Sequence, residues 1–350
     1  MTTSEYPAGD LDGELAGLVE GVLAGEQLAL SRLITRIENG SPDYQEAVKA
    51  LYQHANGTRT IGVTGQPGAG KSTLVDKLVD GFRERGLTVG VIAVDPSSPY
   101  SGGSVLGDRV RQVSRPEDPD VFFRSMSARG HSGGLAAATF DVIRAMDAFG
   151  KDIIIVETVG AGQNEVEIVR AADSVCLVAI PGAGDDVQAN KAGILEIADV
   201  FAVNKADLDG ASATAQELAQ MIRIGQDLDR EGADRTDEAA EWVPRVETTV
   251  ATRREGIDEL IDALNAHYEH LESSGELEER RAARFEQEVD VHLATEVEEL
   301  RTRLLAAHGE RLDDEVDPYT LASELALPLR RAVETEIDEN DRSEVDRGSS

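Results

Sequence analysis

The chain has 350 residues, with 34 Lys or Arg against 67 Asp or Glu, and therefore a formal net charge of −33. This charge excludes proteins that bind nucleic acids or anionic membranes by electrostatic attraction, because like charges repel. The length predicts two or three structural units, or one large domain with appendages. Most of the basic residues are arginines, and an acidic, lysine-poor composition is typical of a high-salt cytoplasm, where ions screen self-repulsion.

The single cysteine, Cys176, excludes a disulfide within the chain, and its apolar surroundings predict a buried thiol on a strand. Residues 1–12 lack the apolar stretch of a signal peptide. No apolar run reaches the roughly 18 residues that a membrane helix needs. We therefore expect a soluble, cytoplasmic protein.

Helical periodicity marks both ends of the chain. Leucines, valines and isoleucines recur at steps of three and four over residues 11–56, which predicts an N-terminal helical extension over 1–57. The same steps recur in the Glu- and Arg-rich residues 276–312, which predict an amphipathic helix long enough to form an arm over 271–339. The polar residues 340–350 predict a disordered tail.

The middle of the chain, residues 58–270, alternates short apolar runs with helical stretches. The predicted strands are Thr60–Thr64, Val89–Val94, Val121–Phe123, Ile153–Val156, Val175–Ile180, Val200–Val203 and Val246–Thr249. Helices are expected over 71–85, 134–149, 212–228 and 257–271, and an exposed insertion over 229–241. Near-continuous apolar strands between helices predict an α/β fold with a mostly parallel sheet covered on both faces.

A glycine-rich loop follows the first predicted strand and fits G-x-x-x-x-G-K-[ST]. Its residues are Gly65, Gln66, Pro67, Gly68, Ala69, Gly70, Lys71, Ser72 and Thr73. Backbone N–H groups of such a loop surround a phosphate, and the helix that follows adds a partial positive charge. Lys71 is expected to reach the β- and γ-phosphates, and the Ser72 hydroxyl to ligate Mg²⁺.

The run Asn204-Lys205-Ala206-Asp207 follows a later predicted strand. The Asp207 carboxylate can accept hydrogen bonds from two N–H groups of guanine, whereas adenine offers no such pair of donors. The stem of Lys205 can cover the face of the base, and Asn204 can brace the loop. The motif therefore predicts binding of GTP rather than ATP.

Further candidate residues come after the second predicted strand. Asp95 ends that strand, where a carboxylate faces the ligand crevice and can hold a Mg²⁺ water or prepare the attacking water. A Ser/Gly-rich stretch over 97–104 leads to Gly107-Asp108-Arg109 and is expected to be a mobile switch loop. Asp108 is a candidate metal ligand, and Arg109 can stabilise charge on the phosphates.

Glu157 begins a third motif after a predicted buried strand. Its longer side chain can reach Mg²⁺ where most GTPases carry Asp, and Gly160 can offer an N–H to the γ-phosphate. Ala161 stands where Ras-like enzymes have a water-orienting glutamine, with Gln163 two residues later as a candidate substitute. Slow intrinsic hydrolysis is therefore expected.

Two smaller features are open to more than one interpretation. Lys191 follows the loop 181–188 and is a candidate for nucleotide- or partner-dependent pairing with Glu157 or the loop aspartates, or else a solvated charge. His267 and His270 have a spacing that permits metal binding, but no further ligand is nearby, so a solvated helix face is expected.

Taken together, these motifs resemble the ArgK/MeaB family of methylmalonyl-CoA mutase-associated GTPases, in the SIMIBI class of P-loop NTPases. The resemblance rests on residues 65–73, 93–98, 107–109, 157–163, 181–188 and 204–207. Val250 and Ala251 align with the family's guanine-capping Ser-Ala pair, where a backbone N–H can still contact the base. With the acidic composition, the resemblance implies a haloarchaeal member.

The resemblance implies a homodimer, formed through the C-terminal arm, that binds an adenosylcobalamin-dependent methylmalonyl-CoA mutase. GTP binding and hydrolysis would gate cofactor loading and protect or reactivate the mutase. The alternatives are a P-loop kinase or ATPase linked to amino-acid transport, a metallochaperone GTPase, and a structural dimer that uses GTP only as a latch. Asn204–Asp207 argue against ATP, and the few histidines and single cysteine argue against metal delivery.

Overall fold

In the computed structural model, the middle part of the chain forms a sheet of seven parallel strands. The structure describes residues 13–41, 43–95, 118–127, 134–158, 171–182, 197–232, 241–308 and 317–347. The strands are β1 (Arg59–Gly65), β2 (Val89–Asp95), β3 (Val121–Ser127), β4 (Ile153–Thr158), β5 (Ser174–Ala179), β6 (Val200–Val203) and β7 (Arg245–Thr248). They lie in the order β3-β2-β4-β1-β5-β6-β7, and each adjacent pair is parallel. All seven predicted strands are confirmed.

Nine helices complete the part of the chain that the structure describes. They are α1 (Gly13–Leu23), α2 (Gln27–Glu38), α3 (Tyr44–Tyr52), α4 (Lys71–Glu84), α5 (Gly134–Ala148), α6 (Ala211–Gly232), α7 (Ile257–Ser274), α8 (Glu276–Ala307) and α9 (Pro318–Arg347). Gly275 separates α7 from α8 with a left-handed φ of 86° that favours glycine. The predicted α/β P-loop fold with helical ends is therefore confirmed.

Alternating residues of the strands face two different cores. On β2 and β4, Ile92 and Ile154 pack with α1, α2, α3 and α5, whereas Val91 and Ile155 pack with α4 and α7. A third cluster joins the face of β5 and β6 opposite α4 and α7 to α6, through Leu218 among others. Since side chains alternate along a strand, these clusters cover both faces of the sheet, and this explains the near-continuous apolar runs.

The chain divides into two compact units, Met1–His292 and Leu293–Ser350. The first unit includes α1, α2 and α3, whose apolar residues share a core with the sheet, so the N-terminal helices are part of it. The boundary expected after residue 270 is not where the contacts change, because the first turns of α8 bind the sheet through three arginines. The arginines and their partners are Arg280 on Asp199, Arg281 on the Gly57 carbonyl and Arg284 on Asp173.

Two segments differ from the composition-based expectation. Residues 229–232 continue α6, although an exposed insertion was expected from 229. Residues 340–347 continue α9, although a disordered tail was expected from 340. Neither segment contains proline, and each prolongs a helix that has already formed, so extending it requires no new nucleation. Pro328 lies inside α9, where its ring removes one backbone donor.

Candidate functional site

The loop between β1 and α4 is shaped by close approaches that only glycine permits. Gly65 has a φ of 142°, and a Cβ added there would lie 2.2 Å from the Val178 carbonyl oxygen. Gly70 has a φ of 85°, and a Cβ there would lie 2.6 Å from Asn204 Nδ2. These glycines let β5 and the loop after β6 approach the phosphate-binding loop directly.

Lys71, the first residue of α4, points its ammonium group into this loop. Nζ donates to the carbonyl oxygen of Gly65 at 2.6 Å and to that of Gln66 at 3.0 Å, and the residue is only 6% exposed. A charged group in this position can exchange a carbonyl for a phosphate oxygen when a nucleotide binds. The geometry therefore places a cation where phosphates are expected.

Ser72 and Glu157 meet beside the loop, although 85 residues separate them in sequence. The Ser72 hydroxyl donates to Glu157 Oε1, and Glu157 lies near the carboxyl end of β4 with 1% exposure. A hydroxyl and a buried carboxylate are hard oxygen donors of the kind that Mg²⁺ prefers. The oxygen atoms of these two side chains are therefore suitable ligands for Mg²⁺, the ion that accompanies nucleotides in P-loop sites.

Asp95 ends β2 at the same edge of the sheet. Its neighbour Val94 lies opposite Thr158 of β4, one residue beyond Glu157. The backbone register therefore brings the predicted carboxylate to the edge where Ser72 and Glu157 meet. The side chain of Asp95 lies outside the described part of the structure.

Asn204 connects three loops at this edge. Its Nδ2 donates to the Ala69 carbonyl oxygen at 2.9 Å, and its Oδ1 accepts from the Ala251 amide at 3.1 Å and the Thr249 hydroxyl at 3.2 Å. The residue is buried. The phosphate loop, the loop after β6 and the loop after β7 are thus held together by one amide side chain.

Lys205 and Asp207 flank the region where the base is predicted to bind. Lys205 Nζ donates to the Gly68 carbonyl oxygen at 2.8 Å, so its stem runs from the β6 loop to the phosphate loop. The Asp207 side chain is a third exposed, and its Oδ2 accepts from Arg253 Nη2 at 3.3 Å. The acidic group is therefore accessible and already oriented by a cation.

The predicted capping pair, Val250 and Ala251, is buried directly after β7. The Val250 amide donates to the Glu255 carbonyl oxygen at 2.9 Å, and the Ala251 amide donates to Asn204. Sequence reasoning did not single out Thr249 and Arg253, which contact Asn204 and Asp207. Their only sequence signal is proximity to the capping pair.

The remaining predicted residues lie outside the described residues. They are Asp108, Arg109, Gly160, Gln163 and Lys191. Gln66, Pro67, Gly68, Ala69 and Thr73 lie in the phosphate loop or the first turn of α4, as their motif requires.

The expected solvent exposure of His267 is wrong. The residue was expected on a solvated face, but it is fully buried, with Nδ1 2.8 Å from Ser174 Oγ and Nε2 3.2 Å from Asp199 Oδ1. Trp242 covers it, with ring centroids 4.9 Å apart. Ser174 begins β5, so this cluster lies at the edge of the sheet opposite the phosphate loop. Among the described residues, no group of three or more His, Cys, Asp or Glu has a metal-binding arrangement.

The family model for methylmalonyl-CoA mutase-associated GTPase MeaB matches residues 30–307. The chain belongs to the MeaB family of GTPases. It is 50% identical over 272 residues to a relative from Pyrococcus abyssi whose name includes the word GTPase, covering 78% of this chain and 82% of that protein. It is 36% identical over 274 residues to the GTPase ArgK of Escherichia coli K12. The matched residues cover 77% of this chain and 81% of that protein.

Two further similarities extend the comparison. The mouse mitochondrial methylmalonic aciduria type A homolog is 31% identical over 278 residues, which cover 75% of this chain and 65% of that protein. A crystal structure named LAO/AO transport system kinase superposes with a TM-score of 0.65 at 26% identity, covering 91% of this chain and 99% of that one. This member of the MeaB family is thus a nucleotide-binding P-loop GTPase. No helix among its described residues has the length and apolar character that crossing a membrane requires.

Proposed function

We propose that this GTPase is a Mg²⁺-dependent chaperone of an adenosylcobalamin-dependent methylmalonyl-CoA mutase. It would gate loading of the mutase cofactor and protect or reactivate the mutase. The observation that carries the proposal is the MeaB family match over residues 30–307, since the family is described as mutase-associated. The similarity to the methylmalonic aciduria type A homolog supports the same partner.

In this proposal, Ser72 and Glu157 hold Mg²⁺, with Asp95 and Asp108 as the further carboxylates. A Mg²⁺ ion held by these residues would supply positive charge that offsets the negative charge of the GTP phosphates. Lys71 pairs with the same phosphates from inside the loop, because its ammonium already lies among the loop carbonyls. Glu157 and Ser72 keep each other oriented through their hydrogen bond.

Other residues complete the proposed site. The Gly160 amide would contact the γ-phosphate, and Arg109, Gln163 and Lys191 are the candidates that would approach the phosphates when a partner binds. Asn204, Lys205 and Asp207 bind guanine, with the turn at Val250 and Ala251 beside the base. The support is the contact of Asn204 with both the phosphate loop and the capping turn.

A homodimer is part of the proposal. Along α8, five large apolar side chains are 44–59% exposed, and they recur at steps of four and three. They are Phe285, Val289, Leu293, Val297 and Leu300. A repeating apolar stripe of this kind is typical of a helix that packs against another helix, which supports the predicted dimerisation arm over 271–339.

The test is steady-state phosphate release from GTP at molar KCl, with and without the mutase. We expect slow basal turnover, because Ala161 replaces the water-orienting glutamine, and acceleration by the mutase of up to about 10³-fold. Lys191→Ala should reduce the acceleration more than the basal rate. A mutase that binds without changing turnover contradicts the activation, while the GTPase assignment stands.

The transport-kinase alternative draws on the similarity to the crystal structure named LAO/AO transport system kinase. It predicts phosphoryl transfer from ATP to a protein acceptor. The exposed carboxylate of Asp207 instead favours guanine. Binding of ATP and GTP with equal affinity, measured by calorimetry, would support the kinase and contradict the chaperone proposal.

A further inference from the structure

An ion pair lies at the predicted base-binding position. Arg253 Nη2 contacts Asp207 Oδ2 at 3.3 Å, and its Nη1 is 4.0 Å from Glu255 Oε1. The Arg253 side chain is 58% exposed, so a ligand can reach it. A guanidinium has five N–H donors in a fixed fork, and one contact with Asp207 leaves others to point elsewhere.

The backbone that carries Arg253 is held on both sides. Ala251, Thr252 and Arg253 form a single 3₁₀ turn that begins three residues after the last residue of β7, and the Arg253 amide donates to the Val250 carbonyl oxygen at 2.9 Å. Arg254 pairs with Glu84 at the end of α4. The turn is therefore fixed while the Arg253 side chain remains exposed.

Guanine presents a 6-carbonyl beside the two N–H groups that a carboxylate can accept. Asp207 supplies the acceptors, so the carbonyl needs a donor close to Asp207. The backbone amides of Val250 and Ala251, the predicted donors, are used inside the chain by Glu255 and Asn204. Arg253 is a donor that the structure places on Asp207 itself.

We propose that Arg253 is a specificity-determining residue whose guanidinium donates a hydrogen bond to the guanine 6-carbonyl while it stays paired with Asp207. The inference rests on the proposed function, since it requires a guanine nucleotide at Asp207. One side chain then fulfils two tasks. It orients the Asp207 carboxylate and distinguishes a 6-carbonyl, which accepts a hydrogen bond, from the 6-amino group of adenine, which repels a donor.

The experiment measures binding of three nucleotides by calorimetry at molar KCl. GDP and IDP both carry the 6-carbonyl, whereas the diphosphate of 2,6-diaminopurine riboside has an amino group there and no hydrogen on N1. Its wild-type affinity is therefore expected to be lower, and each nucleotide is compared with its own wild-type affinity. Arg253→Ala should weaken GDP and IDP by similar factors of about fivefold to tenfold and the diaminopurine nucleotide by a smaller factor, since that nucleotide loses only the orientation of Asp207 and no hydrogen bond to a 6-carbonyl. Arg253→Lys should restore part of the affinity, because the ammonium can still donate.

Two controls separate this role from damage to the turn. Arg254→Ala removes the neighbouring guanidinium, which pairs with Glu84 rather than Asp207, and should leave the GDP-to-diaminopurine ratio unchanged. Thermal unfolding of each variant checks the fold. Three results for Arg253→Ala would overturn the inference. They are a wild-type affinity for GDP, a reduced affinity for GDP with an unchanged affinity for IDP, and an equal loss of affinity for all three nucleotides. Failure of the wild-type protein to bind GDP overturns the proposed function itself.

Discussion

Among the glycines of the phosphate-binding loop that have a positive φ, Gly65 has the least room for a side chain. A Cβ there would overlap the Val178 carbonyl oxygen at 2.2 Å, and backbone atoms of β1 and β5 cannot easily move apart. Gly86 also has a positive φ, of 81°, but a Cβ there would meet nothing within 4 Å. A comparison of alanine variants at the two positions therefore separates the energetic cost of steric overlap from the cost of a left-handed backbone.

We expect Gly65→Ala to lower the free energy of unfolding by at least about 2 kcal/mol and to weaken nucleotide binding. Gly86→Ala should cost about 1 kcal/mol, because only the left-handed backbone is strained. Urea unfolding of both variants measures the difference. Equal destabilisation would show that β5 can move away from the loop.

Asp207 determines the choice of nucleotide in our proposal. Asp207→Asn should weaken GDP binding by about tenfold to 100-fold, because the amide oxygen replaces only one of two acceptors. The same variant should bind xanthosine diphosphate more tightly, since the new amide can donate to its 2-carbonyl. Asp209→Asn, an exposed neighbour, is the matched control. Calorimetric titrations in which Asp207→Asn keeps its preference for GDP would contradict the assignment.

At the scale of elements, α8 is joined to the sheet by buried ion pairs. Asp199 precedes β6, and Arg280 of α8 donates to both of its carboxylate oxygens at 2.9 and 3.1 Å. Burial alone would raise the pKa of Asp199, but contacts with His267 and Arg280 outweigh it and lower that pKa. These pairs fix the start of the arm on the first compact unit, because losing one partner would leave a buried charge.

A second cluster joins α3, α5 and α8. Asp141 of α5 is buried, and it faces Tyr44 of α3, Arg144 of its own helix, and Glu288 and His292 of α8. Burial, reinforced by the nearby Glu288 carboxylate, raises the pKa of Asp141 to about 7. The folded protein therefore binds a proton at Asp141 that the unfolded chain releases near pH 4.

This cluster predicts a pH dependence of stability. Because the pKa is higher in the folded state, the contribution of Asp141 favours folding at low pH and is lost as the pH rises from about 4 to about 7. Asp141→Asn removes the titrating group, so the variant should gain up to about 4 kcal/mol relative to wild type over that range. Unfolding curves at several pH values measure the difference. A flat difference between Asp141→Asn and the wild type across that pH range would contradict the prediction.

At the scale of the whole molecule, the net charge of −33 opposes folding through self-repulsion. The screening length falls from about 10 Å at 0.1 M salt to about 3 Å at 1 M, so added KCl should remove much of this repulsion. We expect the melting temperature to rise steeply between 0.1 and 1 M KCl. Sucrose at matched osmolality is the control, since it lacks ions. A melting temperature that does not change with KCl would show that repulsion between the acidic residues contributes little to the stability of the folded protein.

Local patterns in the sequence determined the seven strands, the helices between them, the phosphate loop and the GTPase family. These features depend on residues close together along the chain. A buried parallel strand is an apolar run wherever it lies in the sheet, and the phosphate loop is one continuous segment between a strand and a helix. Composition was a weaker guide, because the polar residues 229–232 and 340–347 are helical.

Only the tertiary structure decided which distant side chains meet. The contacts of Ser72 with Glu157 and of Arg253 with Asp207 depend on the strand order β3-β2-β4-β1-β5-β6-β7, which apolar runs do not encode. The burial of His267 depends on Trp242 covering it from another part of the chain. Helical spacing alone cannot distinguish a covered face from a solvated one, because what covers a face is set by long-range packing.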